Sequence, residues 1–200
     1  MKRPHLAAFA VTVGLALASS ALAHGSRSYA PPPSDRPDVV NVNPLDLPVI
    51  DQDGRTRSFR RDVLAPGRMI VMNFIFTGCS AICPVQSTVL ARVQDLLGDR
   101  VGRDVRLVSM SIDPENDTPQ ALKEQAERYG SRPGWLWLTG KPDDVERLLG
   151  GVRALADTPG DHAGYFLVGD TASRTWWRID GSAAPEDIVA KINRGEVSGN

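Results

Sequence analysis

Cys79 and Cys83 are the only cysteines in this chain of 200 residues, and their Cys-x-x-x-Cys spacing is the first feature that could do chemistry. Before them, Met69 to Phe76 is an apolar, β-branched run that predicts a buried strand. After them comes a helical pattern. Pro84 suits a first helical position, where a missing N–H costs nothing. The pair therefore stands at a strand-to-helix turn, where the partial positive charge of a helix N-terminus favours thiolate. Positions i and i+4 share a helix face, so both sulfurs can approach one point. Three chemistries are open: a disulfide, a redox pair that attacks a partner's disulfide, and a soft metal ion between two thiolates, which selects Cu(I) or Zn over hard cations. A purely structural bridge gains little, because so small a ring removes only about 2 kcal/mol or less of chain entropy.

Two thiolates do not complete a metal site, and a third donor is wanted. Of the three histidines, His5, His24 and His162, only His162 falls in the part of the chain expected to fold. It lies in the turn-rich stretch Asp157 to Gly164, just before the strand-like run Tyr165 to Val168, and loops set on a rigid sheet commonly carry ligands. A lone loop histidine is more often a surface residue, and it is the half-built two-thiolate site that gives this imidazole meaning. His24, with a terminal amine after processing, could chelate copper, but it also reads as a tail residue. Asp113 ends a predicted strand, where function collects in α/β sheets. Asp113 and Asp117 read equally as turn and cap residues. Met69, Met72 and Met110 sit inside strands, so they are expected in the core and not on a metal.

The elements that must position these groups follow in order. Val49 to Phe59, with Asp53-Gly54 at its centre, predicts a hairpin at the sheet edge. Asp62 to Gly67 is a turn. Strand 69–76 leads to a helix whose apolar face is Val85, Val89, Leu90, Val93, Leu96 and Leu97, ending at Gly98. Asp104 to Asp113 reads as an interior strand. A helix over 120–129 follows, capped by Thr118 with Pro119 in its first turn and Gly130 at its end. Trp135 to Thr139 is a strand and Pro142 to Leu149 a helix ending at Gly150-Gly151. Tyr165 to Val168 and Arg174 to Ile179 form a hairpin turned at Gly169 to Ser173, and Pro185 to Asn193 closes the chain with Ile188, Val189 and Ile192 inward. Hairpin, βαβαβα, hairpin and helix make one α/β sandwich with a mixed sheet.

The first residues, 1–23, read as a secretory signal peptide: Lys2 and Arg3, an apolar run from Leu6 to Ala18, and Ala21-x-Ala23 before a cleavage point. The apolar run is short for a membrane span, and no cysteine near the cleavage point suits a lipid anchor. Residues 24–38, with Pro31-Pro32-Pro33, read as a flexible tail. The folded domain is expected over 39–195, with a short tail at 196–200. Export to the periplasm places the cysteines in an oxidising compartment. Lys and Arg total 23 against 24 Asp and Glu, an interspersed balance that gives no footprint for nucleic acid or an acidic membrane surface.

Three motifs in this order resemble a known family. Thr77-x-Cys79-x-x-x-Cys83-Pro84 follows one strand, Ser111-Ile-Asp113-Pro-Glu-Asn-Asp117-Thr118-Pro119 follows the next, and Asp161-His162-x-x-x-Phe166-Leu-Val closes the set. They resemble the SCO/SenC family of thioredoxin-like copper proteins over most of the mature chain. The resemblance implies a thioredoxin-like three-layer sandwich around a central mixed sheet with an N-terminal hairpin extension. It also implies binding of Cu(I) or Cu(II), and help in assembling the binuclear copper centre of cytochrome c oxidase, by delivering copper or preparing the acceptor's thiols. By motif, Cys79, Cys83 and His162 are the copper ligands. The implied partners are an oxidase subunit as copper acceptor and a thiol reductant, with membrane contact only through the acceptor unless the signal segment is retained. The spacer Ser80-Ala81-Ile82 lacks the acidic residue common in the family. A thiol-disulfide oxidoreductase with no obligatory metal is the alternative, and for it His162 would be dispensable. A peroxiredoxin-like peroxidase is set aside, because no Pro precedes Cys79 at the offset that signature needs.

Overall fold

The computed structural model describes residues 38–155 and 164–197. Eight strands form one mixed sheet in the order β1-β8-β7-β4-β5-β6-β2-β3. They are β1 (Asp38–Val39), β2 (Pro48–Asp51), β3 (Thr56–Ser58), β4 (Met69–Ile75), β5 (Val105–Ser111), β6 (Trp135–Thr139), β7 (Tyr165–Asp170) and β8 (Thr175–Asp180). The helices are α1 (Ile82–Leu97), α2 (Pro119–Arg128), α3 (Pro142–Gly151) and α4 (Pro185–Val197). This is the expected α/β sandwich, with the predicted β2–β3 hairpin at its edge. Among the described residues no helix is long and apolar enough to cross a membrane.

Strand β4 is the axis, and every one of its residues is buried. Its period-2 alternation divides the interior. Ile70, Met72 and Phe74 join a core with Leu148 and Leu149 of α3 and with the short π-helical turn Phe59–Val63. Met69, Val71 and Ile75 join a second core with Leu90 and Val93 of α1, Leu122 of α2 and Ile188 and Ile192 of α4. Three layers result because a strand apolar on both faces must be covered twice. Met69, Met72 and Met110 are core residues, as expected. Across the α1 side, Trp135 Nε1 donates to Ser109 Oγ at 3.0 Å, and Ser109 Oγ donates to Asn73 Oδ1 at 2.8 Å, so Ser109 links polar groups on three adjacent strands, while Asn73 Nδ2 has no hydrogen-bond partner among the described residues.

Strand directions decide what meets at the site. β4 and β5 are parallel, with Ile75 opposite Ser111, so the loops after them leave the same sheet edge. β7 runs antiparallel to β4, Leu167 opposite Met72, so its first residue arrives at that edge too. The chain is thus brought back to the cysteine turn at Gly164 and Tyr165.

Several expected boundaries move. α1 begins at Ile82, two residues before Pro84, because any first-turn position has a spare N–H and tolerates proline. Val85 and Leu96, expected inward, are 47% and 40% exposed. The buried stripe runs instead through Cys83, Gln86, Leu90, Val93, Gln94 and Leu97. Gln94 can be buried because Nε2 donates to Gly130 O at 3.0 Å and Oε1 accepts from Arg132 N at 2.8 Å. Residues 62–63 belong to the π-helical turn, not to the turn that ends at Gly67. Gly150 and Gly151 continue α3, and Gly169 and Asp170 continue β7, moving the hairpin turn to 171–174. Asp38, expected in the tail, pairs with Arg178, and α4 extends into the expected C-terminal tail as far as Val197. The expected signal segment 1–23, the Pro-rich stretch with His24, and His162 lie outside the described residues.

Candidate metal and thiol site

Nothing in the type of Ala81 caps α1: its side chain offers no acceptor, and no side-chain cap is made. The sulfur of Cys79 takes that part, accepting from Cys83 N–H at 3.4 Å, while Cys79 N donates to Phe76 O at 3.1 Å and folds the turn back on the strand end. A thiolate is thereby set over the free N–H groups of a helix start, where negative charge is favoured.

The two thiols are free and unequal. Cys79 is partly exposed, and Cys83 is buried in the α1 core. Burial pulls the Cys79 pKa up, but a hydrogen bond from the Cys83 thiol and the N–H groups of Ala81, Cys83 and Ile82 outweigh it, leaving Cys79 below the ordinary 9.0. Cys83 is pushed up to about 12, by burial first and then by the hydrogen bond it gives to Cys79 and by that neighbour's charge. The bond from Cys83 N–H to Cys79 Sγ holds the two cysteines against each other across one turn, the arrangement that either a disulfide or a two-thiolate metal site requires. Soft donors of this kind fit Cu(I).

The turn is held from beneath by a residue that sequence reasoning left as a turn or cap residue. Asp117 is buried, and its Oδ1 accepts from Thr77 N at 2.9 Å and Thr77 Oγ1 at 2.6 Å. Its Oδ2 accepts from Ser111 Oγ at 2.6 Å. One carboxylate thus ties the loop after β4 to the end of β5. Thr118 beside it is the expected N-cap of α2, accepting from Ala121 N at 3.2 Å, a contribution of about 1 kcal/mol. Asp113 is a turn residue: both its oxygens accept from Asn116 Nδ2. The signal for Asp117 was its place in a strand-end loop beside the cysteine loop, together with a Thr two residues before Cys79.

A family model described as SCO1/SenC matches residues 47–195. The chain belongs to the SCO1/SenC family. This SCO1/SenC chain is 38% identical over 112 residues to the SCO1 protein homolog of Bacillus subtilis, an alignment that covers 54% of this chain and 56% of that protein. It spans about half the length of the curated relatives it matches. Its fold is similar to Arabidopsis thaliana ScoI with copper bound, at 22% identity and a TM-score of 0.65, covering 80% of this chain and 99% of that one. It is also similar to BsSco, described as a member of the Sco family of cytochrome c oxidase assembly proteins with a disulfide switch. There the identity is 26% and the TM-score 0.66, with 81% of this chain and 98% of that one covered. The sandwich of this SCO1/SenC chain is accordingly thioredoxin-like.

Of the three expected ligands, two are brought together by the described residues. The third, His162, belongs to the segment whose C-terminal root, Gly164, arrives beside α1.

Proposed function

We propose that this chain is an exported copper chaperone of the periplasm that holds copper on Cys79, Cys83 and His162 and passes it to the binuclear copper site of a cytochrome c oxidase subunit. The observation that carries the reading is the dithiol itself: two free cysteines at a helix start, Cys79 Sγ accepting from Cys83 N–H, at the edge to which β7 returns the chain three residues after His162. Copper is cargo here. Three donors hold a soft ion while leaving room for an acceptor's ligand, so exchange needs no prior release. Family membership and the copper-bound Arabidopsis relative support it.

The inequality of the thiols favours a second reading, which can coexist with the first. Cys79 thiolate attacks a partner's disulfide and forms a mixed disulfide, releasing one partner thiolate. Cys83 then loses its proton and attacks Cys79 Sγ, releasing the second partner thiolate and leaving Cys79–Cys83 oxidised. An acceptor so reduced can take copper, and a thiol reductant would return the pair to its starting state.

Mixing the copper-loaded, reduced protein with the reduced, copper-free binuclear-copper domain of an oxidase subunit separates the two. Chaperoning predicts transfer of copper to the domain. Retention of copper, together with reduction of the domain's disulfide by His162→Ala as fast as by the parent, would leave only the thiol-disulfide reading.

A further inference from the structure

We propose that Gln86 is a positioning residue that sets how the segment carrying His162 meets the dithiol, an inference that rests on Cys79, Cys83 and His162 being the copper ligands. Gln86 lies one turn beyond Ile82 on α1 and is wholly buried. Its Nε2 donates to Tyr165 O at 3.0 Å, clasping the first residue of β7, three residues after His162. Its Oε1 is buried with no hydrogen-bond partner among the described residues. A buried amide is costly where any apolar side chain would pack, and the one bond that offsets the cost here is the grip on the strand.

The neighbouring glycines show how close that grip is. A Cβ on Gly164 would stand 2.3 Å from Ile82 Cγ1, so the root of the segment lies directly on the first residue of α1, the neighbour of Cys83. A Cβ on Gly181 would stand 2.6 Å from Gly164 O and 2.8 Å from Gln86 Nε2. Gly181 N donates to Gly164 O at 3.1 Å, which ties that root to the residue following β8. Ile82, Gln86, Gly164, Tyr165 and Gly181 therefore form one packed joint between the helix that bears Cys83 and the strand that follows His162. Groups that orient a ligand without touching the metal commonly alter affinity when removed. Ile82 and Gln86 are one turn apart on a single face, so the joint moves only if α1 or β7 moves.

The test is copper affinity of the reduced protein, by competition with a chromophoric Cu(I) chelator, for Gln86→Met in the parent and in His162→Ala. Met keeps the volume and removes the donor. Action through His162 predicts weakening of about tenfold in the parent and little in His162→Ala, the non-additivity of a residue acting through another. Gly164→Ala should weaken binding likewise, and Ile82→Ala should restore it by removing the clash. Melting temperatures identify any variant that fails to fold; if Gln86→Met does so, the Gly164/Ile82 pair decides. Equal weakening in both backgrounds, or none in the parent, overturns the proposal. If the parent and His162→Ala bind copper alike, the ligand set is what fails, and the metal-free protein decides the positioning claim. There the NMR lines of the His162 ring should shift in Gln86→Met and stay in place in Thr88→Ala; an unmoved ring in Gln86→Met overturns the proposal.

Discussion

Iodoacetamide at about neutral pH should label Cys79 of the reduced protein at least about thirtyfold faster than Cys83. Cys83 titrates at about 12 and Cys79 below 9.0, so at any pH under both values Cys79 carries more than about a thousandfold the thiolate fraction. The more basic thiolate is the better nucleophile, with a Brønsted slope of about 0.5, which returns roughly half of that advantage on a logarithmic scale. Burial of Cys83 then slows it further. With rising pH the Cys79 rate should climb and level off at lower pH than that of an ordinary thiol, while Cys83 should keep gaining toward pH 12. In Cys79→Ser the accepting sulfur and its charge are gone. Cys83 should then react faster than in the parent but still slower than Cys79, since burial is the largest cause of its shift and persists. Mass spectrometry after timed quenching reads each site. Equal rates at the two cysteines would show that α1 does not begin over the Cys79 sulfur.

Replacing Asp117 should be the most damaging single change outside the apolar core. Asp117→Ala leaves Thr77 N, Thr77 Oγ1 and Ser111 Oγ without their acceptor in a buried place. The loss should be about 2–4 kcal/mol in urea unfolding, since bonds to a charged acceptor are worth more than neutral ones and abandoned donors are penalised. Asp117→Asn keeps the shape and an oxygen for Thr77, and Ser111 Oγ can turn to accept from the new amide, so about 1 kcal/mol is expected. Because the turn from Thr77 to Cys83 supplies the N–H groups that lower the Cys79 pKa, Asp117→Ala should also slow Cys79 labelling toward that of an ordinary thiol. An Asp117→Ala protein as stable as the parent, with unchanged labelling, would remove Asp117 from the account.

Much of this architecture is legible in the sequence because it rests on periodicity and turn chemistry, which are local. β4 stands out as an unbroken apolar run, Thr118-Pro119 announces the start of α2, Asp53-Gly54 the hairpin, and Trp135 to Thr139 the strand β6 with both ends in place. Cys79 and Cys83 are visible as chemistry by type and spacing alone. What escapes is set by contacts distant in sequence. Gln86 and Gln94 look like solvent residues until Tyr165 O, Gly130 O and Arg132 N are brought to them, which is also why Val85 and Leu96 were expected inward. Asp117 looks like one more loop aspartate until parallel pairing of β4 and β5 carries Thr77 to it. Gly164 carries no signal in the sequence beyond that of a turn residue, because its reason is Ile82, on another element.

The central claim, one copper site built from Cys79, Cys83 and His162, is tested most directly by titrating copper into the reduced parent, Cys79→Ser, Cys83→Ser and His162→Ala. The account predicts one copper per chain in the parent and weaker binding in each of the three variants. Binding by His162→Ala as tight as by the parent would contradict it.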